Sequence, residues 1–332
     1  MTSVLVFGAT GVAGIYIINS LVAAKSSFAR LGIFTSQTTV NDKVELIQRL
    51  KGEGVHVYVG DVGSDEDVLA AYKDYDTIVN AAGRNAILSQ IGLLRLAEQS
   101  PQIKVFLPSE QRENENAMKL TPKRSSGTDI EYSPASANEK PHQLKLKVRA
   151  YIREHVKRVQ CTYVVTGPYA EMALTRMPPA VEAAGSFDVH GKKAVLLGSG
   201  NDSVSYTTMP DLGRFVVATL LHPEAVRDRA IKVNSFTVTA HEVLAEFEKQ
   251  TGAKWSVSFT SLEELKELEK EAWESEKPFA TVYTLRRIWT EGGTLYKERD
   301  NSLLECEDSE TLATLVERVI RTQTDERADG HL

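Results

Sequence analysis

Only two cysteines stand in the 332 residues, Cys161 and Cys306. That is too few for a disulfide framework or a cysteine-ligated metal cluster, and it points to a reducing compartment. The seven histidines are scattered without paired ligand spacing, so no metal site is expected. No run of about 18 apolar residues occurs, which argues against a membrane span. Met1-Thr2-Ser3 leads into an apolar run with no basic stretch, so no signal or transit peptide is expected. The closing Gly330-His331-Leu332 has the wrong first residue for a peroxisomal address. A cytoplasmic protein is the expectation. Positive charge is also short: 39 Lys and Arg face 45 Asp and Glu, for a net charge of −6. Nucleic-acid-binding domains usually run basic, so such a partner is not expected. Internal repeats are absent.

What the chain does have is apolar content, at 42% enough for a sizeable core. Short apolar runs at Ser3–Phe7, Arg30–Phe34, Val55–Val59, Thr77–Asn80, Lys104–Pro108 and Thr162–Thr166 read as strands. Between them, Val12–Lys25, Lys43–Lys51, Asp65–Asp74 and Ile87–Gln99 read as helices. This alternation predicts an α/β fold, a doubly wound parallel sheet covered on both faces. Consecutive apolar, β-branched positions predict strands buried on both sides. Later, Ala230–Phe236 reads as one more strand and Thr239–Gly252 as a helix closed by Gly252. Ser261–Pro278 reads as a charged, solvated helix, with Ser261 and Glu264 at capping-box spacing. Residues 111–142 break the rhythm; they are polar and rich in Ser, Pro and Asn. They follow a strand's carboxyl end, where such sheets build their ligand crevice, and they read as a loop over the site.

The stretch VLVFGATGVAG at 4–14 places Gly8, Gly11 and Gly14 between the first strand and the first helix. A dinucleotide pyrophosphate must approach the backbone closely there, and the N–H groups opening the helix, with Thr10 and Val12 in the turn, then face the anion. The spacing has the strand–helix context that such a motif needs. NAD sites usually place a carboxylate after the second strand. Here Thr35-Ser36-Gln37-Thr38 carries none before Asp42, so hydroxyls and an amide can accept a 2′-phosphate, with Lys43 as the available cation. The cofactor expected is NADP(H). Asp61 and Val62 end the third strand, where an acid can accept from the adenine amino group; a helix cap is the competing role for Asp61. Asn80-Ala81-Ala82-Gly83 end the fourth strand, where small residues let a ribose lie on the backbone.

The loop GATGVAG at 8–14, VFLPSE at 105–110, LKLKVRAYIRE at 144–154, CTYVVTGPYAE at 161–171 and the stretch 198–223 together resemble a known family. It is the NmrA-like and isoflavone reductase-like group of atypical short-chain dehydrogenase/reductases. The resemblance runs to about Gly252 and is loose beyond. It implies a Rossmann-like NADP domain at 1–165, with later contributions from about 203–236. It also implies a smaller, mostly C-terminal substrate domain at 166–202 and 237–332, with the cleft between them. The reductases of the group act on aromatic and phenolic secondary metabolites; its regulators bind the dinucleotide without known turnover.

By the same resemblance the catalytic lysine falls on Lys145, which would hold the nicotinamide ribose and ease proton delivery. A lysine desolvated beside a cationic ring loses basicity and becomes a usable acid or base. Lys147 would face elsewhere on the helix. The tyrosine that ordinary short-chain dehydrogenases carry four residues before the lysine is replaced by Pro141. His142 is the substitute proton donor, because imidazole titrates near working pH; a merely exposed loop histidine is the alternative. The group's Phe-Gly after Pro-Ser-Glu is replaced by Gln111-Arg112, which changes the expected nicotinamide pocket. Ser109 and Glu110 are placed at the substrate. Tyr169, Met172 and Phe187 are placed at an apolar, aromatic-binding mouth, against the alternative of core packing. Arg84, Asn85 and Gln90 are further candidates for substrate or phosphate. The expected function is an NADPH-dependent reductase of a small phenolic molecule, in a chain compatible with a homodimer. The competing readings are an NADP-binding sensor and a non-redox enzyme that retains NADP.

Overall fold

The computed structural model describes residues 1–83, 86–109, 138–296 and 298–328. The first part runs β1 (Thr2–Phe7), α1 (Gly14–Ala23), β2 (Phe28–Thr35), α2 (Gln37–Asp42), α3 (Val44–Gly52), β3 (His56–Val59), α4 (Asp65–Tyr72), β4 (Thr77–Asn80), α5 (Ser89–Gln99) and β5 (Val105–Leu107). After α6 (Gln143–His155) come β6 (Gln160–Cys161), β7 (Tyr163–Val165), α7 (Ala170–Ala173), β8 (Ser186–Asp188), β9 (Lys193–Leu197) and β10 (Val204–Tyr206). The remainder is α8 (Met209–Leu221), α9 (Pro223–Val226), β11 (Ala230–Lys232), β12 (Phe236–Val238), α10 (Ala240–Thr251), β13 (Ser256–Thr260), α11 (Leu262–Glu274), α12 (Ala280–Thr290) and α13 (Leu312–Ala328).

Six strands form one sheet in the order β3-β2-β1-β4-β5-β6, and every pairing in it is parallel. This is the doubly wound order, with the direction of winding reversing between β1 and β4. Strand alternation explains the two cores. Val4 and Val6 point to one face, where Ile17, Ile18 and Leu21 of α1 meet Leu212, Phe215 and Val216 of α8. Leu5 and Phe7 point to the other, among Tyr72 of α4, Leu93 and Leu94 of α5 and Val148 and Ile152 of α6. Each fully buried Leu or Phe contributes about 2 kcal/mol relative to exposure. Residues late in the chain, Ile231, Val233, Leu304 and Cys306, complete the first of these cores.

Three expectations change. β3 is an edge strand whose His56 and Val59 are exposed, so burial on both faces does not hold there. The expected strand Thr162–Thr166 corresponds to β7 and lies apart from the main sheet: β7 pairs in parallel with β11, and the strand that pairs with β5 is β6, which ends just before the expected start. Thr162, buried between them, donates its hydroxyl to Val226 O at 3.0 Å. The expected strand Ala230–Phe236 divides into β11 and β12, which pair with different partners.

A second sheet, β13-β9-β8, carries its own core, in which Phe187 stacks on Phe247 at 5.3 Å and Trp255 lies 5.1 Å from the same ring. α10 opens on a full capping box of Thr239 and Glu242 and closes on Gly252 at φ +62°. At α11 only half the expected box forms: the Ser261 hydroxyl accepts from Glu264 N at 3.1 Å. Among the described residues no helix is long and apolar enough to cross a membrane, and no three His, Cys, Asp or Glu residues converge on a metal-sized point. Both cysteines are free and buried.

The turn between α6 and β6 is held by a reciprocal charge contact with the end of α5. The Arg158 guanidinium donates to the carbonyls of Ala97, Ser100 (2.8 Å) and Ile103 (2.5 Å), satisfying the last turn of the helix and its dipole. The Glu98 carboxylate accepts from the N–H groups of Arg158 at 2.9 Å and Val159 at 2.7 Å. Burial pushes the Glu98 carboxyl up, but the backbone donors outweigh it and hold it below its ordinary value. A carboxyl depressed in the folded state adds stability above its unfolded value and loses it as pH falls through the folded one. Glu98→Gln should therefore lower the melting temperature at neutral pH, and the gap to wild type should close below about pH 4.5. Thermal unfolding from pH 7 to pH 3 measures both; a gap that persists in acid would remove the carboxylate's role.

Candidate functional site at the carboxyl edge of the sheet

The site begins where β1 ends. Phe7 pairs with Phe34 on one side and Asn80 on the other, and Ala81 N donates to Phe7 O at 2.8 Å. The chain turns at Gly8, whose φ is +73° and whose missing Cβ would lie 2.8 Å from the Ala81 carbonyl. A Cβ on Gly14 would lie 2.0 Å from Gly8 O, so the start of α1 rests directly on the turn. Gly11 differs: its Cβ would meet only Gly8 O at 3.2 Å, and both it and Val12 are exposed. Among the described residues no acceptor takes the N–H groups of Thr10, Val12 or Ala13. Unclaimed N–H groups at the start of a ten-residue helix are suited to an anion.

The segment after β2 closes over this turn. Thr35 is buried, and the Ser36 hydroxyl caps α2 by accepting from Thr39 N at 3.2 Å. The cation absent from 35–38 arrives from the far end of α2: Lys43 Nζ donates to Thr10 O at 2.6 Å. Asp61 is exposed and is not a helix cap; Ser64 caps α4. Asp61 instead accepts from Gly63 N at 2.8 Å through Oδ1, beside the exposed Val62.

The ends of β4 and β5 are laced together. Asn80 Oδ1 accepts from Ala82 N at 2.7 Å, Ser109 Oγ donates to Ala82 O at 2.8 Å, and Gln90 Oε1 accepts from Ser109 N at 2.8 Å. Gly83 follows these contacts at the open end of the strand. Asn80 and Gln90 are both buried, and among the described residues their amide nitrogens, Nδ2 and Nε2, have no acceptor. An unmet buried donor costs about 1–3 kcal/mol. Two of them beside an anion-ready turn fit a polar ligand lying across β1 and β4, and a dinucleotide meets that description.

On α6 the spacing separates the lysines, with Lys145 buried and Lys147 exposed. The basic cluster divides: Lys140, ahead of the helix, is exposed and lies 4.4 Å over the Trp273 ring, whereas Arg149 is buried and lies 4.4 Å over the Tyr163 ring. His142 is buried at 3% exposure rather than on an open loop. Its Nδ1 lies 2.9 Å from Glu139 Oε2, and Glu139 Oε1 pairs with Arg287 of α12 at 3.0 Å. Arg287 also binds Glu269 at 2.5 Å and Glu291 at 2.8 Å. Burial opposes its charge, but the three carboxylates outweigh burial and raise the guanidinium above its ordinary value.

The three residues placed at the mouth do not form one wall. Tyr169 is half-buried and bridges to Thr207, at the start of α7. Met172 is open to solvent at 58% exposure. Phe187 is a core residue with one edge on a cavity of about 500 Å³, open mouth included, which Leu174, Leu196, Val204 and Arg286 also line. Arg84, Asn85, Glu110 and most of the 111–142 loop lie outside the described residues. Glu139, Arg286 and Arg287 were not singled out from sequence. Glu139 three residues before His142 was the available signal for one of them.

The model of the NmrA-like family matches residues 1–288. The chain belongs to the NmrA-like family. This NmrA-like protein is similar to the isoflavone reductase of Pisum sativum, 26% identical over 275 residues, with 79% of this chain and 80% of the relative covered. It is 24% identical to the phenylcoumaran benzylic ether reductase Betv6 of Betula pendula over 256 residues, 76% of this chain and 75% of the relative. Among solved structures it resembles AtPrR2 with NADP+ and (+)-pinoresinol, with a TM-score of 0.76, 20% identity, and 96% and 98% of the two chains covered. The leucoanthocyanidin reductase–NADPH complex from Vitis vinifera gives a TM-score of 0.74 at 18% identity, covering 96% and 99%. At such identities these structures establish the fold, which is Rossmann-like.

The glycines make separable predictions. Gly8→Ala forces a methyl group into the Ala81 backbone at positive φ and should cost about 2–4 kcal/mol. Gly11→Ala should change stability by less than about 1 kcal/mol while weakening dinucleotide binding. Chemical denaturation and cofactor titration of both variants check this.

Proposed function

We propose that this NmrA-like protein is an NADPH-dependent reductase of a small aromatic or phenolic metabolite, acting on a carbonyl or an activated double bond. The observation that carries this reading is the set of unclaimed donors at the sheet edge. They are the N–H groups of Thr10, Val12 and Ala13 and the amides of Asn80 and Gln90. Lys43 sits on the same turn as the cation for a 2′-phosphate, and no carboxylate stands at 35–38 to repel it. The relatives named above supply the reaction class, and the apolar cavity bordered by Phe187 gives a substrate somewhere to lie. Residues 1–165 with 203–236 are assigned to the cofactor, and 166–202 with 237–332 to the substrate. Two buried thiols suit the cytoplasm.

When bound, NADPH supplies the hydride. Lys145 places positive charge where negative charge grows on the substrate oxygen. The Glu139 carboxylate lies beside Nδ1 and leaves Nε2 to deliver the proton, so hydride and proton together complete the reduction. Arg287 holds Glu139 in place.

Titration with NADPH, NADH and their oxidised forms, followed by loss of NADPH absorbance against phenolic enones, ketones and quinones, tests the assignment. Tight NADPH binding without turnover on any of them would make the protein a dinucleotide sensor. Lys43→Met should weaken NADPH at least about tenfold and leave NADH within about threefold, since the variant removes the 2′-phosphate cation alone. Lys145→Ala and His142→Gln should each lower kcat roughly hundredfold or more with little change in NADPH affinity. Equal losses in turnover and binding would make these residues cofactor supports only.

A further inference from the structure

Two adjacent arginines on α12 have opposite surroundings. Arg287 is saturated by Glu139, Glu269 and Glu291. Arg286 is 5% exposed, and among the described residues its guanidinium has no hydrogen bond and no ion pair. Its recorded contact is the face of Trp289, 5.0 Å from the ring centroid. A stack on one ring engages the guanidinium face and leaves its N–H edge to the cavity, where no described protein acceptor takes it. Burial pulls the guanidinium below its ordinary value, and the neighbouring Tyr206 opposes this.

Arg286 lies on the wall of the cavity already described. The other walls include Leu174, Phe187, Leu196 and Val204, all apolar and buried. Asp202 stands exposed on the same lining, but no ion pair joins it to Arg286. Among the described residues no carboxylate pairs with this guanidinium. The cavity therefore offers an apolar body and one fixed, unsatisfied, forked cation. A carboxylate matches such a fork with two parallel hydrogen bonds, and a dry setting makes that pairing selective.

We propose that this cavity is the substrate pocket and that it selects an aromatic carboxylic acid, held by its carboxylate on Arg286. The inference rests on the reductase reading and names its substrate class. Phe187 and Trp289, both on the lining, flank the flat apolar body. A neutral phenol of the same outline leaves the guanidinium unpaired and binds more weakly.

The test uses the full chain and three acid–ester pairs: benzoate, 4-hydroxybenzoate and cinnamate, each against its methyl ester. Calorimetric titration without cofactor should show at least one acid binding ten times or more tighter than its ester. In Arg286→Met that preference should vanish while the ester's affinity stays within threefold. The variant's melting temperature should not fall, because it removes a buried charge that has no counter-ion. Equal affinity for every acid and ester in the wild type, or binding of none of them, overturns the proposal without recourse to any variant. A lower melting temperature in Arg286→Met with the acid preference intact would make the arginine a structural partner of Trp289 and likewise overturn it. NADPH titration of the same sample separates the two claims. Acid preference without NADPH binding refutes the reductase reading alone, and NADPH binding without acid preference refutes the pocket assignment alone.

Discussion

The backbone of Gly8 lies against that of Ala81 with no room for a methyl group between them. This approach joins the ends of β1 and β4 at the point where the sheet reverses its winding. It also sets the height of α1, because Gly14 rests on the carbonyl of Gly8. Every donor of the candidate cofactor site is referenced to that contact: the N–H groups of the turn, the Asn80 amide one residue before Ala81, and Gln90 through Ser109 and Ala82. Lys43 is tied to the same turn through Thr10. A ligand bound here meets a surface assembled before it arrives, so little binding energy is spent on ordering it.

Electrostatics on the substrate side follow from one helix. α12 sends Arg287 to the carboxylate that orients His142 and leaves Arg286 at the cavity wall. The two side chains diverge because successive residues of a helix point about 100° apart. A single element thus reaches both the Glu139–His142 pair and the cavity wall, and a shift of α12 would move both together.

Much of this was legible in the residues. Thr77–Asn80 reads as a strand and is one, and GATGVAG carries its own turn, because both depend on local pattern. The doubly wound sheet follows from the alternation of short apolar runs with helices. What could not be read depends on distant partners. The break at Thr162 arises because Tyr163–Val165 finds β11 some 67 positions later. His142 looks like a loop residue until Glu139, paired with Arg287 148 positions further on, lies against it. Phe187 sits in a three-residue strand buried throughout, so no alternation reveals which side it serves. Asp61 and Ser36 make local turn and cap bonds that composition alone does not reveal.

The division of the sixth strand has a consequence for how the chain is made. The face of the sheet that carries Val4 and Val6 is covered by α8 and sealed by Ile231 and Leu304. Those residues leave the ribosome long after β1 to β5. At roughly 5–20 residues per second, the hundred or so positions between β5 and α8 take on the order of ten seconds to synthesise. For that interval this face has α1 and α3 but lacks α8 and the late residues that complete its core. The core on this face is therefore closed only by residues made late in translation.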